Sequence, residues 1–209
     1  MPSEAEVSEV LDQLAEYVQQ LGDEVVEREI EVLTAEFGGE EITLTGHICV
    51  DDDLAYYIGA HPNLSGVFIT FSYSLIDNIA VEIPEEHAIG VLNSADLTVE
   101  DGDPRPVAAQ YLYQSNSAAR AQDLARRLRI EKGEVETKLS IALTNYGYPA
   151  SYNVEIMIFP YEEGFSIKEF YDAVTSVMET GRKMSEVVNA HISLSISEED
   201  PRNTRVNIQ

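Results

Sequence analysis

The sequence predicts an α+β fold, with an antiparallel sheet packed against N- and C-terminal helices. Two observations carry that class. Apolar residues recur at helical spacing near both ends of the chain, and the runs between them alternate with the period of two expected of half-buried strands. A hydrophobic content of 44% over 209 residues supplies enough apolar surface for a packed core, and one α+β domain spanning 1–209 is the expected organisation.

The first helix is announced by Ser3 and Glu6, a capping-box pair whose side chains satisfy each other's backbone N–H groups. Val7, Val10, Leu11, Leu14, Val18 and Leu21 follow on one stripe, and Gly22 is placed to end it. Glu29 to Phe37 and Ile42 to Val50 read as two strands around Gly38-Gly39, a pair that tolerates the positive φ of a tight hairpin. In the second of these, Ile42, Leu44, Ile48 and Val50 share one face, and Thr43, Thr45, His47 and Cys49 the other. Val67 to Leu75 alternates again, and Ile79 to Ile83 reads as its partner, stopped by Pro84.

Residues 85 to 93 fit a short helix. Leu97 to Glu100 and Val107 to Gln114 read as a hairpin around Asp101-Gly102-Asp103-Pro104, with an early helix as the alternative for the second segment. Ser117 caps a helix to about Arg129, and Val135 to Leu143 and Tyr152 to Phe159 are two alternating strands joined through Asn145 to Pro149. Ser166 with Glu169 forms a second capping box. Beyond it Ile167, Phe170, Tyr171, Val174, Val177, Met178, Val188 and Ile192 keep one helical face past a potential interruption at Gly181, and the tail from Ser197 reads as frayed. No repeat and no linker rich in Pro, Gly or Ser divides the chain.

Taken in order, helix, three strands, helix, two strands and helix resemble the type III secretion chaperone-like fold, which small dimeric cytoplasmic binding proteins use. The resemblance lies in element order and leaves residues 76 to 116 unassigned. It implies a homodimer or a protein partner, although a shared fold does not by itself fix a function.

Charge narrows the partners. The chain has 38 acidic and 13 basic residues, a net charge of −25 with only four lysines. Self-repulsion of that size disfavours the compact state unless ions screen it, so the composition resembles that of salt-adapted haloarchaeal proteins. The distribution is uneven: residues 1–104 hold 24 acidic residues and one basic, Arg28, whereas residues 105–209 hold 14 and 12. Free nucleic acid is a poor partner for the acidic half, because phosphates would meet carboxylates. No apolar run is long enough to span a membrane, the first residues lack the charge and apolar core of a secretory signal, and a cytoplasmic location is expected.

Chemistry-bearing motifs are sparse. The chain has no G-x-G-x-x-G, no G-x-x-x-x-G-K, no G-x-S-x-G and no H-E-x-x-H, and no cofactor is expected. Asp51, Asp52 and Asp53 at a strand end are weak candidates for Mg²⁺ or Ca²⁺, with a solvated acidic turn the more ordinary reading. His47 and Cys49, at i and i+2, are weak candidates for a softer metal site that His61 and His87 would complete; a hydrogen-bonded core histidine and a small buried cysteine are the more ordinary readings. Arg120, Arg126, Arg127 and Arg129, with Lys132, form a basic cluster on a helix, suited to ion pairs with the acidic half or to a partner's anionic groups. Tyr146, Tyr148, Tyr152 and Tyr161, with Tyr111 and Tyr113, suit either a binding surface or sheet margins. The leading expectation is a non-enzymatic, salt-adapted interaction protein of binding or chaperone-like type. The alternative is a divalent-metal-dependent enzyme with a site near Asp51 to Asp53.

Overall fold

The computed structural model describes residues 1–37, 40–52, 54–99, 102–116, 118–132, 136–144, 147, 149–196 and 200–208. The fold is α+β. A six-stranded sheet has the order β1-β2-β3-β4-β6-β5, formed by β1 (Glu24–Phe37), β2 (Glu40–Asp51), β3 (Leu54–Ala60), β4 (Val67–Ser74), β5 (Lys138–Leu143) and β6 (Pro149–Ile158). Successive strands β1 to β4 pair antiparallel. The chain divides into two compact units: Met1–Ser72, Glu134–Leu139 and Asn153–Gly181 form the first, and Tyr73–Gly133, Ser140–Tyr152 and Arg182–Gln209 the second.

In the first unit, α1 (Glu4–Leu21) starts as its sequence dictates. Ser3 Oγ accepts the Glu6 N–H, and the Glu6 carboxylate takes both the Ser3 N–H and hydroxyl at 2.7 Å. It ends at Gly22 with φ 95°, a left-handed cap. Val7, Leu11, Leu14 and Val18 are buried, each contributing about 1.5–3 kcal/mol of apolar burial. Pairing aligns two rows on one sheet face, Cys49–Tyr56–Phe71 and His47–Ile58–Ile69, and every member of both rows is buried. This is the face that α1 covers, since His47 Nε2 lies 3.1 Å from the Leu11 carbonyl oxygen of the helix. A side chain at Gly46 would place Cβ 1.7 Å from the Ile58 carbonyl oxygen, so only glycine lets β2 lie so close to β3.

The long helix α6 (Ile167–His191) opens with the second capping box, where Ser166 N–H and hydroxyl both reach Glu169. Phe170 packs on Tyr17 of α1 with ring centroids 5.9 Å apart. Gly181 does not interrupt the helix; a Cβ there would stand 2.5 Å from the Phe71 ring, so the glycine lets α6 settle on the sheet. Both terminal helices therefore pack on the sheet, as the apolar stripes predicted.

The second unit holds α2 (Leu75–Glu82), α3 (Glu85–Ser94), α4 (Arg105–Asn116), α5 (Ala118–Lys132) and a small antiparallel pair, β7 (Ile192–Ser195) with β8 (Arg205–Ile208). Its core includes Ala108, Leu112, Tyr113, Leu124, Leu128 and Val206. Tyr152 stacks on Tyr73 at 5.2 Å, and its hydroxyl pairs with Ser185 Oγ at 2.9 Å.

Four expectations need correction. Residues 79–82 are helical, because Ser74 Oγ accepts the Asp77 N–H and starts α2 where a strand was read. The hairpin read through Val107 to Gln114 is instead helix α4: the Asp103 carboxylate accepts the Arg105 N–H at 3.0 Å, and the Pro104 carbonyl accepts from Ala108, so Asp-Pro here is a helix start. Residues 201–208 are not frayed but form a 3₁₀ turn (Pro201–Asn203) and β8. Strand β3 was not anticipated, since alanine and glycine dilute the strand signal in Leu54 to Ala60.

Candidate functional site

His47 and Cys49 are placed by the register of β2 under α1, both fully buried. The imidazole is engaged with the Leu11 carbonyl. The Cys49 thiol sits beside the Tyr56 hydroxyl, which donates to Asp23 Oδ2 at 2.9 Å. Burial pushes the Cys49 pKa up to about 12, against the opposing pull of the Tyr56 hydroxyl and with some help from Asp23. Burial likewise pushes the Tyr56 phenol up, with Cys49 and Asp23 adding to it. A thiol so protonated is a poor nucleophile.

Asp51 closes β2, and Asp52 turns the chain into β3 with φ 52°; Asp53 lies outside the described residues. Among the described residues, no three His, Cys, Asp or Glu side chains converge as a metal site would require. His61 follows β3 in the first unit, whereas His87 lies on α3 in the second.

The arrangement with the most chemical capacity in the first unit is an open cleft of about 500 Å³ at the N-terminal end of α1. Its origin is simple. The helix covers the rows of Cys49 and His47, and in the next cross-strand row, Glu31–Thr45–Ala60, Ala60 is buried while Glu31 and Thr45 are exposed. Val7, Leu11, Ala60 and Pro62 give the cleft an apolar floor; Glu4 and Ser8 approach from the helix, and Glu31, Thr43 and Thr45 from the sheet. His61 lines it too, and its Nδ1 accepts the Asn63 N–H at 3.0 Å, which puts the ring proton of the neutral form on Nε2. Two carboxylates, three hydroxyls and one imidazole over an aliphatic floor can hold a cation with an apolar stem. Sequence reasoning placed Thr43 and Thr45 on the correct face and noted His61, but it missed Glu4, Ser8 and Glu31. The one available signal was that the β2 face turns from His and Cys to threonine at its exposed end.

In the second unit, Arg126 and Arg127 both bind Asp123 of their own helix, each at 2.9 Å, and Arg127 also pairs with His191 Nε2 of α6. Arg129 is exposed, and the Arg120 side chain lies outside the described set. The Arg127 and then the Arg126 hydrogen bonds hold the Asp123 carboxyl below its ordinary value. Of the predicted tyrosines, Tyr152 and Tyr113 are buried, Tyr111 is exposed on α4, and Tyr146 and Tyr148 lie outside the described residues. Burial raises the Tyr161 phenol in the first unit.

No family model matches the chain, and no curated protein is similar to it in sequence. Among solved structures the fold is similar to that of an uncharacterized protein from Methanothermobacter thermautotrophicus, with a TM-score of 0.52 and 10% identity over 87% of this chain and 97% of that one. That likeness concerns the fold alone. Among the described residues, no helix is long and apolar enough to cross a membrane.

Proposed function

We propose that this chain is a non-enzymatic, salt-adapted cytoplasmic interaction protein, a homodimer that holds a basic protein partner through its first unit. One observation carries the reading: the charge is parted by folding unit. The first unit has 24 acidic residues against three basic, and the second 14 against ten. The three basic residues of the first unit already face acids, as Arg28 with Asp12, Lys138 with Glu155 and Lys168 with Asp172. Among the described residues most of the first unit's carboxylates are exposed, Glu4 and Glu31 of the cleft among them, and complementary charge is what steers and selects partners. Self-association through that unit would set like charges together. The second unit, at net −4, exposes Val107 and Tyr111 one turn apart on α4 and supports the dimer contact better.

The test pairs light scattering with fluorescence anisotropy. A dimer mass and tighter binding of a labelled lysine-serine peptide than of its norleucine-serine counterpart are expected. Equal binding of the two peptides overturns the partner reading, and a monomer mass overturns the dimer.

A further inference from the structure

We propose that the cleft at the N-terminal end of α1 receives a lysine side chain from a basic protein segment; this deepens the interaction reading and rests on it. The floor sets the first requirement. Val7, Leu11 and Ala60 are almost wholly buried at the base of the cleft and Pro62 is half-buried, so the base offers no hydrogen-bonding group, and a ligand with a slender apolar stem, such as the four methylenes of lysine, can lie against it without losing polar contacts. The walls set the second. Glu4 on α1 and Glu31 on β1 line the cleft together with Ser8, Thr43 and Thr45. An ammonium group carries three donors and no acceptor, so it matches a set of carboxylate and hydroxyl acceptors. His61 adds the complementary element. With Nδ1 occupied by the Asn63 N–H, its Nε2–H is a donor at a cleft otherwise rich in acceptors, suited to a backbone carbonyl beside the lysine. A volume of about 500 Å³ exceeds one side chain and leaves room for that flanking backbone. The cleft adjoins no Lys or Arg among its lining residues, so nothing in its wall competes for the carboxylates.

Anisotropy titration of the full chain with the fluorescent lysine-serine peptide, near 0.1 M salt where the Debye length is about 10 Å, tests the assignment. Ser8 is exposed, so Ser8→Trp fills the cleft without changing charge or core, and it is expected to weaken binding at least tenfold. The double variant Glu4→Gln, Glu31→Gln is expected to lose about tenfold, as two largely exposed ion pairs allow. Glu162→Gln with Glu163→Gln removes the same charge from the loop before α6 and is expected to bind within about twofold of the parent. Circular dichroism checks that each variant is folded. If Ser8→Trp binds like the parent, or if the loop variant loses as much as the cleft variant, lysine capture in the cleft is wrong while the acidic-partner reading stands. If the parent itself fails to prefer lysine over norleucine, the partner reading falls with it.

Discussion

The two units of this chain build their cores under very different net charge. The first builds its core on a sheet face roofed by α1 and α6 and leaves a surplus of 21 negative charges; the second packs short helices and ends at net −4. Four of the second unit's ten basic residues bind acids close in sequence: Arg105 with Asp103, Arg126 and Arg127 with Asp123, and Arg202 with Asp200. The average net charge therefore describes neither unit. Stability of the first should depend on screening, while the second, with ten basic residues against 14 acidic, carries much of its compensation within itself.

Salt is the strongest way to break that comparison. Raising KCl from low to molar concentration shortens the Debye length to about 3 Å, and the melting temperature is expected to rise on the order of 10 °C, about 3–5 kcal/mol for a chain of this size. Cys49 makes the effect specific to one unit. It is the chain's single cysteine, buried in the first unit, so the rate of thiol labelling follows the opening of that core. Labelling should slow steeply as KCl rises, while amide exchange at Leu112 and Leu128 of the second unit changes less. Equal responses in both units would show that the charge partition has no energetic consequence.

The next effect is smaller and lies inside the first unit. Tyr56→Phe keeps the ring between Cys49 and Phe71 but removes the hydroxyl that binds Asp23. Its loss is expected to cost about 1–2 kcal/mol, a fall in melting temperature of about 2–8 °C. An unchanged melt would mean that solvent fully replaces the hydroxyl at Asp23.

What was legible in the sequence divides along similar lines. Capping boxes at Ser3 and Ser166 and the stripes behind them located α1 and α6, because local hydrogen bonds and helical periodicity are written in neighbouring residues. The short helix at residues 85 to 93 was legible, but α2 and α4 were read as strands because they are started by a serine and an Asp-Pro step within runs that also alternate. The cleft was hidden for another reason. Glu4, Glu31 and His61 line one cleft only because β1, β2 and β3 align in register beside α1, a long-range arrangement without local signal. The hydrogen bond of His47 to Leu11 is equally non-local, which is why a histidine beside a cysteine read as a candidate ligand.

The smallest expected effect concerns the arginines, which the sequence offered as a bridge to the acidic half. Arg126 and Arg127 are already engaged by Asp123, and Arg127 by His191 as well, all within the second unit. Their side chains are substantially exposed, 73% and 44%, so solvent screens most of what they contribute. Replacing Arg126, Arg127 and Arg129 together by Gln is therefore expected to leave the molecular mass unchanged and to shift melting by about 3 °C or less. The informative readout is Asp123. Its folded carboxyl is held below the ordinary 3.8 by Arg127 first and Arg126 second; a depressed folded value contributes stability that is fully present above the unfolded value and is lost as pH falls through the folded one. Removing the arginines should move the Asp123 midpoint, followed by carboxyl NMR, up toward 3.8 and flatten the acid limb of the stability profile below about pH 4. If the triple variant instead dissociates, or melts far below the parent, the guanidinium groups hold a surface beyond Asp123 and His191, and the local compensation assigned to the second unit is wrong.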